Sequence, residues 1–314
     1  MKLPRIVINA YRRHVMPRVK KLILRKFLLE PEVMIMVDGG LGSQMWQFAL
    51  GRGIEKKSSL RVSYDTSWYA RNGKDINGRF SRKYELEEIF KKIQIEKASE
   101  VKRWIYYLAF REPTETKFDF YESILNGKSP RYLGDYFLNA KYIDCQGDEL
   151  RDLLEFHIEL SKEDKAILRK ILSLEEAIAV HIRRGDYIGS NHEVTSERYF
   201  VRSMKKISML RPNVEKNFFI FSNDIEWCKQ LFGQMDEKIV FVDNNSNDRG
   251  AIDMFLMSNC NHFIISNSSF SWWPAWLSRR SPEKIVIMPE KWLANETSEQ
   301  RFSMKVDSWL IGQC

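Results

Sequence analysis

AIAVHIRRGD, residues 177–186, is the stretch that decides the fold, because it joins a short apolar run to two adjacent arginines. Such a run predicts a buried strand. A guanidinium is always charged and binds phosphate oxygens in a fork geometry. Since ligands of an open α/β sheet sit outside the carboxyl ends of its strands, the segment predicts that Arg183 and Arg184 meet an anion there. On these residues alone, a structural salt bridge from either arginine to Asp186 carries equal weight.

The sequence on both sides of this segment alternates between apolar runs and helical patterns, which predicts a parallel sheet. The predicted strands are 177–182, 217–222, 238–242, 262–266 and 284–288. The predicted helices are 196–210, 225–232, 252–260 and 269–278.

A second α/β pattern precedes the first in the chain. The apolar run 33–37 enters a glycine-rich loop, a helical pattern covers 44–57, and a further strand is predicted at 60–64. We therefore predict an α/β protein with an N-terminal domain over 31–160 and a C-terminal domain over 161–314. A ligand is expected in the cleft between them, and the last helix is expected to pack back on the N-terminal domain.

Charge is unevenly distributed along the 314 residues, whose formal net charge is +8. Residues 1–30 hold nine basic residues and one acid, so the remaining chain carries 41 of each sign. A neutral body argues against nucleic-acid binding. The segment 18–30, RVKKLILRKFLLE, predicts an amphipathic arm that lies on an anionic membrane surface, or equally a helix packed on the body. The apolar runs are too short to span a bilayer, and the cysteine spacing favours a reduced, cytoplasmic protein.

Three loops after predicted strands have residue types that suit an anion or a nucleotide. The first, Gly39 to Gly42, allows the backbone to approach a ligand closely at a helix N-terminus, although a plain tight turn is the stronger interpretation of it alone. The second, Ser266 to Trp273, has more hydroxyls than a helix cap requires. The third ends in Asp224, which can read a nucleoside or cap the following helix. If the sheet is parallel, the second and third loops converge with the arginines at one edge.

With these loops in place, the chain resembles the bacterial α-1,2-fucosyltransferases of glycosyltransferase family 11. The resemblance covers most of residues 33–292 and follows ordered motifs. These are His181 to Asp186, Gly39 to Ala49, Asp253 to Ser258 and Ser268 to Trp273. It implies a GT-B-like fold of two Rossmann-like domains facing a cleft. It also implies an inverting transfer of fucose from GDP-fucose to O2 of a terminal galactose, on a glycan of the surface-polysaccharide or O-antigen type.

The resemblance also implies roles for individual residues. Arg183 meets the β-phosphate, Asp186 orients the arginine or the donor, and His181 supports the loop. The implied donor-binding residues are Arg184, Asp224, Ser268, Ser269, Phe270, Gly40 and Gly42. The implied acceptor-binding residues are Ser43, Gln44 and Trp46. No Asp-x-Asp pair occurs in the sequence, so we expect the arginines and a helix dipole, with no metal or other cofactor, to stabilise the leaving group.

Some features depart from the family pattern or stay open. Ser43 stands where the family has Asn and cannot offer an amide's donor and acceptor pair. Asp38, Asp135 and Asp186 are all candidates for the general base. A different nucleotide-sugar donor, or a nucleotide-sugar or glycan-binding protein that has lost catalysis, remain alternatives to the fucosyltransferase hypothesis.

Overall fold

The computed structural model describes residue 22 and residues 30–71, 73–74, 81–112, 118–244, 249–298 and 300–314. The arm predicted over residues 1–30 lies outside the described residues, apart from Leu22 and Glu30. Among the described residues, no helix combines the length and the apolar character needed to cross a bilayer.

The N-terminal unit is built on a three-stranded parallel sheet with the order β2-β1-β3. Its strands are β1 (Glu32–Met36), β2 (Arg61–Asp65) and β3 (Arg131–Leu133). Its helices are α1 (Leu41–Ser58), α2 (Ser67–Arg71), α3 (Leu86–Ile89), α4 (Glu100–Phe110), α5 (Glu122–Asn126) and α6 (Gly147–Leu153).

Helices cover both faces of this sheet. Alternate residues of β1 point to opposite faces, and the apolar residues on each face are buried by a different helix. Val33 and Ile35 lie in the large core cluster that includes the apolar face of α1. Met34 lies in a separate cluster with Tyr106 and Phe110 of α4. The unit therefore has three layers, with α1 on one side of the sheet and α4 on the other.

The C-terminal unit is a six-stranded parallel sheet with the order β6-β5-β4-β7-β8-β9. Its strands are β4 (Glu176–Ile182), β5 (Lys216–Ser222), β6 (Lys238–Val242), β7 (His262–Ile264), β8 (Val286–Pro289) and β9 (Leu310–Gly312). Its helices are α7 (Lys162–Ser173), α8 (Glu197–Leu210), α9 (Ile225–Phe232), α10 (Gly250–Ser258) and α11 (Ser269–Leu277). All seven residues of β4 are buried, which agrees with the apolar run that predicted this strand.

The structure confirms the predicted α/β, GT-B-like class, with two parallel α/β units. Two short strands were not predicted, β3 and β9, because three residues of each are too few for a periodic pattern. The sequence also led us to expect that a last helix packs back on the N-terminal domain. Among the described residues the last helix is α11, which contacts α1 of the N-terminal unit. The chain then continues to the strand β9, which pairs with β8, and the Ser303 carbonyl accepts from the Ala140 amide of the N-terminal unit at 2.8 Å.

Three tryptophans hold the two units together at α1 and α11. The ring centroid of Trp46 lies 4.6 Å from that of Trp272 and 5.0 Å from that of Trp273. The indole of Trp273 also donates to the carbonyl oxygen of Gly42 at 2.9 Å. The N-termini of α1 and α11 are thus fixed next to each other.

Candidate active site

Arg183 leaves the carboxyl end of β4 in a fixed orientation. Its backbone N–H donates to Ser266 Oγ at 3.0 Å, and this hydroxyl in turn donates to the His181 carbonyl at 2.7 Å. Its Nε donates to Asp186 Oδ1 at 2.8 Å. Both groups of the pair are largely buried, with 19% and 11% of their side chains exposed. Within the described chain, both Nη groups of Arg183 remain without a bonding partner, so the fork can meet an anion.

Arg184 is directed to the other side of the same strand end. Its Nε donates to Asp224 Oδ2 at 3.1 Å, and its guanidinium lies 3.9 Å from the centroid of the Trp227 ring. Asp224 also caps α9 by accepting from the Trp227 amide at 3.3 Å. The capping interpretation of Asp224 therefore holds in this structure, and the same carboxylate braces Arg184.

Asn223 is a positioning residue that the sequence did not single out on its own. Its Oδ1 accepts from the Arg184 amide at 2.9 Å. Gly185 has a φ of +27°, and a Cβ placed there would overlap the Asn223 amide. Only glycine fits this turn, which explains why a glycine separates the arginines from Asp186.

His181 is buried in β4, with 3% of its surface exposed. Its ring centroid lies 5.2 Å from that of Phe270 at the start of α11. Burial, with a smaller effect of the Arg183 charge, lowers the pKa of His181 to about 3. Its Nδ1 is buried and has no hydrogen-bond partner among the described residues. The neutral ring therefore packs between the donor-side loops, in agreement with a supporting role.

The serine loop forms the N-terminus of α11 beside Arg183. Ser268 caps this helix by accepting from the Phe270 amide at 3.3 Å. Ser266 is fully buried and bonded to β4, and the Asn267 amide donates to the carbonyls of His192 and Trp292 at 2.9 and 2.8 Å. The backbone amides and the partial positive charge of a helix start suit an anion. The loop and the Arg183 fork thus form one cationic corner.

Tyr187 joins the arginine turn to this serine loop. Its hydroxyl donates to the Asn267 carbonyl at 3.3 Å, and its ring lies 5.6 Å from the Arg183 guanidinium carbon. Burial raises the pKa of Tyr187 above its ordinary value, although the Arg183 charge opposes the shift. The phenol is therefore neutral and closes one wall of the corner.

The first glycine loop approaches the serine loop from the N-terminal unit. A Cβ at Gly42 would lie 2.9 Å from the carbonyl carbon of Ser269 and 3.1 Å from the Phe270 amide. At Gly40, the residue before α1, a Cβ would meet nothing within 4 Å. Gly42 therefore lies close to the backbone of the other unit, whereas the sequence predicts a close approach of this loop to a ligand.

The residues expected to bind the acceptor differ in their exposure. Gln44 is fully buried; its Nε2 donates to the Lys83 carbonyl at 2.8 Å, and its Oε1 accepts from the amides of Glu85 and Leu86. Trp46 is 1% exposed in the contact between units. This placement argues against direct acceptor contacts by these two side chains and gives them supporting roles. Ser43 lies in the first turn of α1 and is partly exposed.

Asp38 follows β1 in the N-terminal unit. Gln47 fixes it in two ways, because its Nε2 donates to Asp38 Oδ1 at 2.7 Å and its Oε1 accepts from the Asp38 amide at 3.1 Å. Burial, followed by the Asp38 charge, raises the pKa of Tyr69 and of Tyr136. Two neutral phenols therefore neighbour an aspartate held by a buried amide. Tyr69 escaped the sequence prediction because nothing in its local pattern marks it.

The other aspartates have different surroundings. Asp135 Oδ1 accepts from the adjacent Tyr136 amide at 2.6 Å, and Asp186 is paired with Arg183. Among the described residues, no group of three His, Cys, Asp or Glu side chains is arranged to hold a metal ion.

Comparison with known proteins agrees with this geometry. The sequence profile of glycosyl transferase family 11 matches residues 132–311, which contain the arginine turn, the Asp224 loop and the serine loop. The chain belongs to glycosyltransferase family 11. The match includes β3 and the C-terminal unit, so the cationic corner is the part of the site that carries the family pattern.

Three relatives illustrate the range of the family. The O-antigen biosynthesis glycosyltransferase WbnK of Escherichia coli is 29% identical over 87% of this chain and 98% of its own length. An alpha-1,2-colitosyltransferase of Escherichia coli is 31% identical over 84% of this chain and 93% of its own length. A galactoside 2-alpha-L-fucosyltransferase of Caenorhabditis elegans is 27% identical over 46% of this chain and 42% of its length.

Proposed function

We propose that this glycosyltransferase moves fucose from GDP-fucose to O2 of a terminal galactose on a surface-polysaccharide or O-antigen type glycan. The observation that carries the proposal is the Arg183 fork, fixed by Asp186 at 2.8 Å beside the N-terminus of α11. This arrangement suits a diphosphate leaving group. The linkage and sugars follow from the family resemblance and from the named activities of the relatives.

In the proposed reaction, the bond between fucose C1 and the β-phosphate oxygen breaks, and its electron pair stays on GDP. Arg183 and the amides at the start of α11 stabilise this charge, with Ser268, Ser269 and Phe270 along the diphosphate. Arg184, braced by Asp224 at 3.1 Å, supports the same turn. Such preorganised donors replace the role that a metal ion has in other transferases, and we propose that no metal is required.

Inversion requires the acceptor hydroxyl to attack the face of C1 opposite the leaving group. We assign the proton acceptor to Asp38, which follows β1 and neighbours the neutral phenols of Tyr69 and Tyr136, whereas Asp186 is paired with Arg183. Gln47 fixes one oxygen of Asp38, while the phenols nearby can donate to sugar oxygens. The galactose O2 proton then passes to Asp38 as the new C1–O2 bond forms. The N-terminal unit thus supplies the acceptor side, with Ser43 at its margin.

GDP release in the presence of GDP-fucose and galactose-ended acceptors tests the proposal. We expect release that depends on the acceptor and survives a chelator, and a product whose new linkage is α-1,2. Loss of release on chelation would contradict the metal-free mechanism. No release with any galactose-ended acceptor would favour a binding protein that has lost catalysis.

A second donor has direct support in the 31% identity to an alpha-1,2-colitosyltransferase. Colitose differs from fucose in lacking the 3-hydroxyl group, so the same leaving group and the same linkage are compatible with either sugar. Competing GDP-fucose against GDP-colitose at equal concentration separates the two hypotheses. A larger kcat/KM for GDP-colitose would identify GDP-colitose as the preferred donor. The role assigned to Arg183 would stay the same.

A further inference from the structure

Helix α4 (Glu100–Phe110) is apolar on two opposite faces, although only one of them packs against the protein. Its inner face buries Tyr106, Ala109 and Phe110 against the N-terminal sheet. Its outer face exposes three large apolar side chains, Val101 at 70%, Trp104 at 48% and Leu108 at 69%. We call these three residues the α4 stripe.

The α4 stripe is continuous, because residues three and four positions apart are neighbours on a helix surface. Single exposed apolar residues are ordinary, whereas a contiguous apolar patch marks an interaction site. The Trp104 ring is also held in place: the Arg103 guanidinium lies 4.8 Å from its centroid, and Tyr107 meets it edge to face at 6.1 Å. An indole combines a large apolar ring with a polar N–H group, and tryptophan is enriched at membrane interfaces for this reason.

The stripe lies on the outer side of the molecule. Helix α4 covers the Met34 face of the sheet, whereas α1 covers the opposite face and meets the C-terminal unit through Trp46. The cationic corner lies at the N-termini of α1 and α11, away from the stripe. A large flat partner on α4 would therefore leave the cleft between the units open.

The described chain begins its continuous course beside the same helix. The Glu30 carbonyl accepts from Tyr106 Oη at 3.4 Å, and the Glu30 carboxylate pairs with Arg61 at 3.3 Å. The 29 residues before Glu30 carry nine basic residues and no acid. A strongly cationic segment thus joins the body beside α4, at Tyr106 on the inner face of the helix, and Arg111, exposed at the end of α4, adds to the positive charge.

We infer that the α4 stripe docks on an anionic lipid bilayer. Aromatic and aliphatic side chains enter the headgroup boundary, while Lys and Arg residues are attracted to acidic headgroups. A protein partner would match the stripe but gives no reason for a segment with nine cations that joins the body beside the same helix. An anionic bilayer accounts for both features.

Vesicle co-sedimentation of the full chain tests this inference. We expect binding to vesicles of equal parts phosphatidylcholine and phosphatidylglycerol, weak binding to phosphatidylcholine alone, and weakening as salt is raised. The variant V101S/W104S/L108S should bind the anionic vesicles at least about tenfold more weakly, because it removes the large apolar side chains of the α4 stripe. Its circular dichroism and melting temperature should match those of the parent, since all three side chains are exposed.

Two further variants make the result specific. The control L172S/M209S/L210S removes three exposed apolar residues from α7 and α8 of the C-terminal unit and should bind like the parent. The variant K20Q/K21Q/R25Q/K26Q should lose part of the preference for anionic vesicles. Equal binding by the parent and the stripe variant overturns the inference. So does a parent that sediments with neither vesicle, or a parent dimer that the stripe variant converts to a monomer, because a second copy would then cover the stripe.

Discussion

Two helix N-termini meet at the site, one from each unit, and they are held in place in different ways. α11 is capped by Ser268, a residue of its own loop, and lies beside an arginine fixed within the same unit. The N-cap residue of α1 is Gly40, which provides no side-chain cap. The carbonyl of Gly42, in the first turn of α1, accepts a hydrogen bond from the indole of Trp273 in the other unit. The proposed leaving-group side is therefore assembled locally, whereas the proposed acceptor side depends on the contact between units.

Arg183→Ala should have the largest effect on kcat, because it removes the charge that is proposed to stabilise the leaving group. Loss of a donor that stabilises the leaving group costs about 3 to 4 kcal/mol of transition-state stabilisation, so kcat should fall by about a hundredfold to a thousandfold. Steady-state GDP release measures the effect. Arg279→Ala, which removes an exposed arginine paired with Asp148 and Asp152, is the control and should keep normal turnover. Similar rates in both variants would remove Arg183 from the mechanism.

Asp38→Asn tests the acceptor side in the same assay. Asparagine keeps an oxygen for the Gln47 amide but cannot take the acceptor proton, so we expect about a hundredfold lower kcat at unchanged melting temperature. Asp135→Asn is the matched control, since its Oδ1 accepts from the neighbouring Tyr136 amide and an asparagine oxygen can do the same. The assignment fails if kcat falls in the control and not in Asp38→Asn, or if the slow hydrolysis of GDP-fucose without acceptor falls equally.

Gly42→Ala tests the contact between the units. The new Cβ would lie 2.9 Å from Ser269 backbone carbon, closer than such atoms approach, so one helix start must shift. We expect a stability loss of about 1 to 3 kcal/mol, together with a lower kcat. Gly40→Ala provides the control two residues away, where φ is −84° and a Cβ meets nothing within 4 Å. Urea unfolding compares them, and equal stability would mean that the units do not require this approach.

The same contrast explains what the sequence could predict. Residues 177–186 place Arg183, Arg184 and Asp186 at a strand end because the signal is contiguous, and the structure has β4 within one residue of the predicted bounds. Gln44 and Trp46 carry an equally clear motif, yet their surroundings come from Lys83, Glu85 and the tryptophans of α11. Contacts between residues 39 to 227 positions apart in the chain leave no local pattern, so the sequence identified the motif and not its exposure.

The smallest expected effect concerns His181. A variant at this position separates the effect of burial on stability from a role in catalysis. Burial lowers its pKa to about 3, whereas an unfolded histidine titrates near its ordinary value of about 6.5. Between these values only the unfolded chain takes up the proton, so the free energy of unfolding falls as the pH falls, by at most about 1.4 kcal/mol per pH unit. From pH 7 to pH 5 this amounts to about 2 kcal/mol, and above pH 7 the effect vanishes.

His181→Phe should therefore flatten the pH dependence measured by urea unfolding at pH 5 and pH 7. The ring is replaced by one that cannot be protonated and that retains a face toward Phe270. His157→Phe, at an exposed histidine, should leave the parent slope intact. Because the proposed chemistry uses Arg183 and Asp38, kcat of His181→Phe should fall far less than that of either of those variants. A loss of kcat as large as that of Arg183→Ala, with stability unchanged, would instead place His181 in direct contact with the donor.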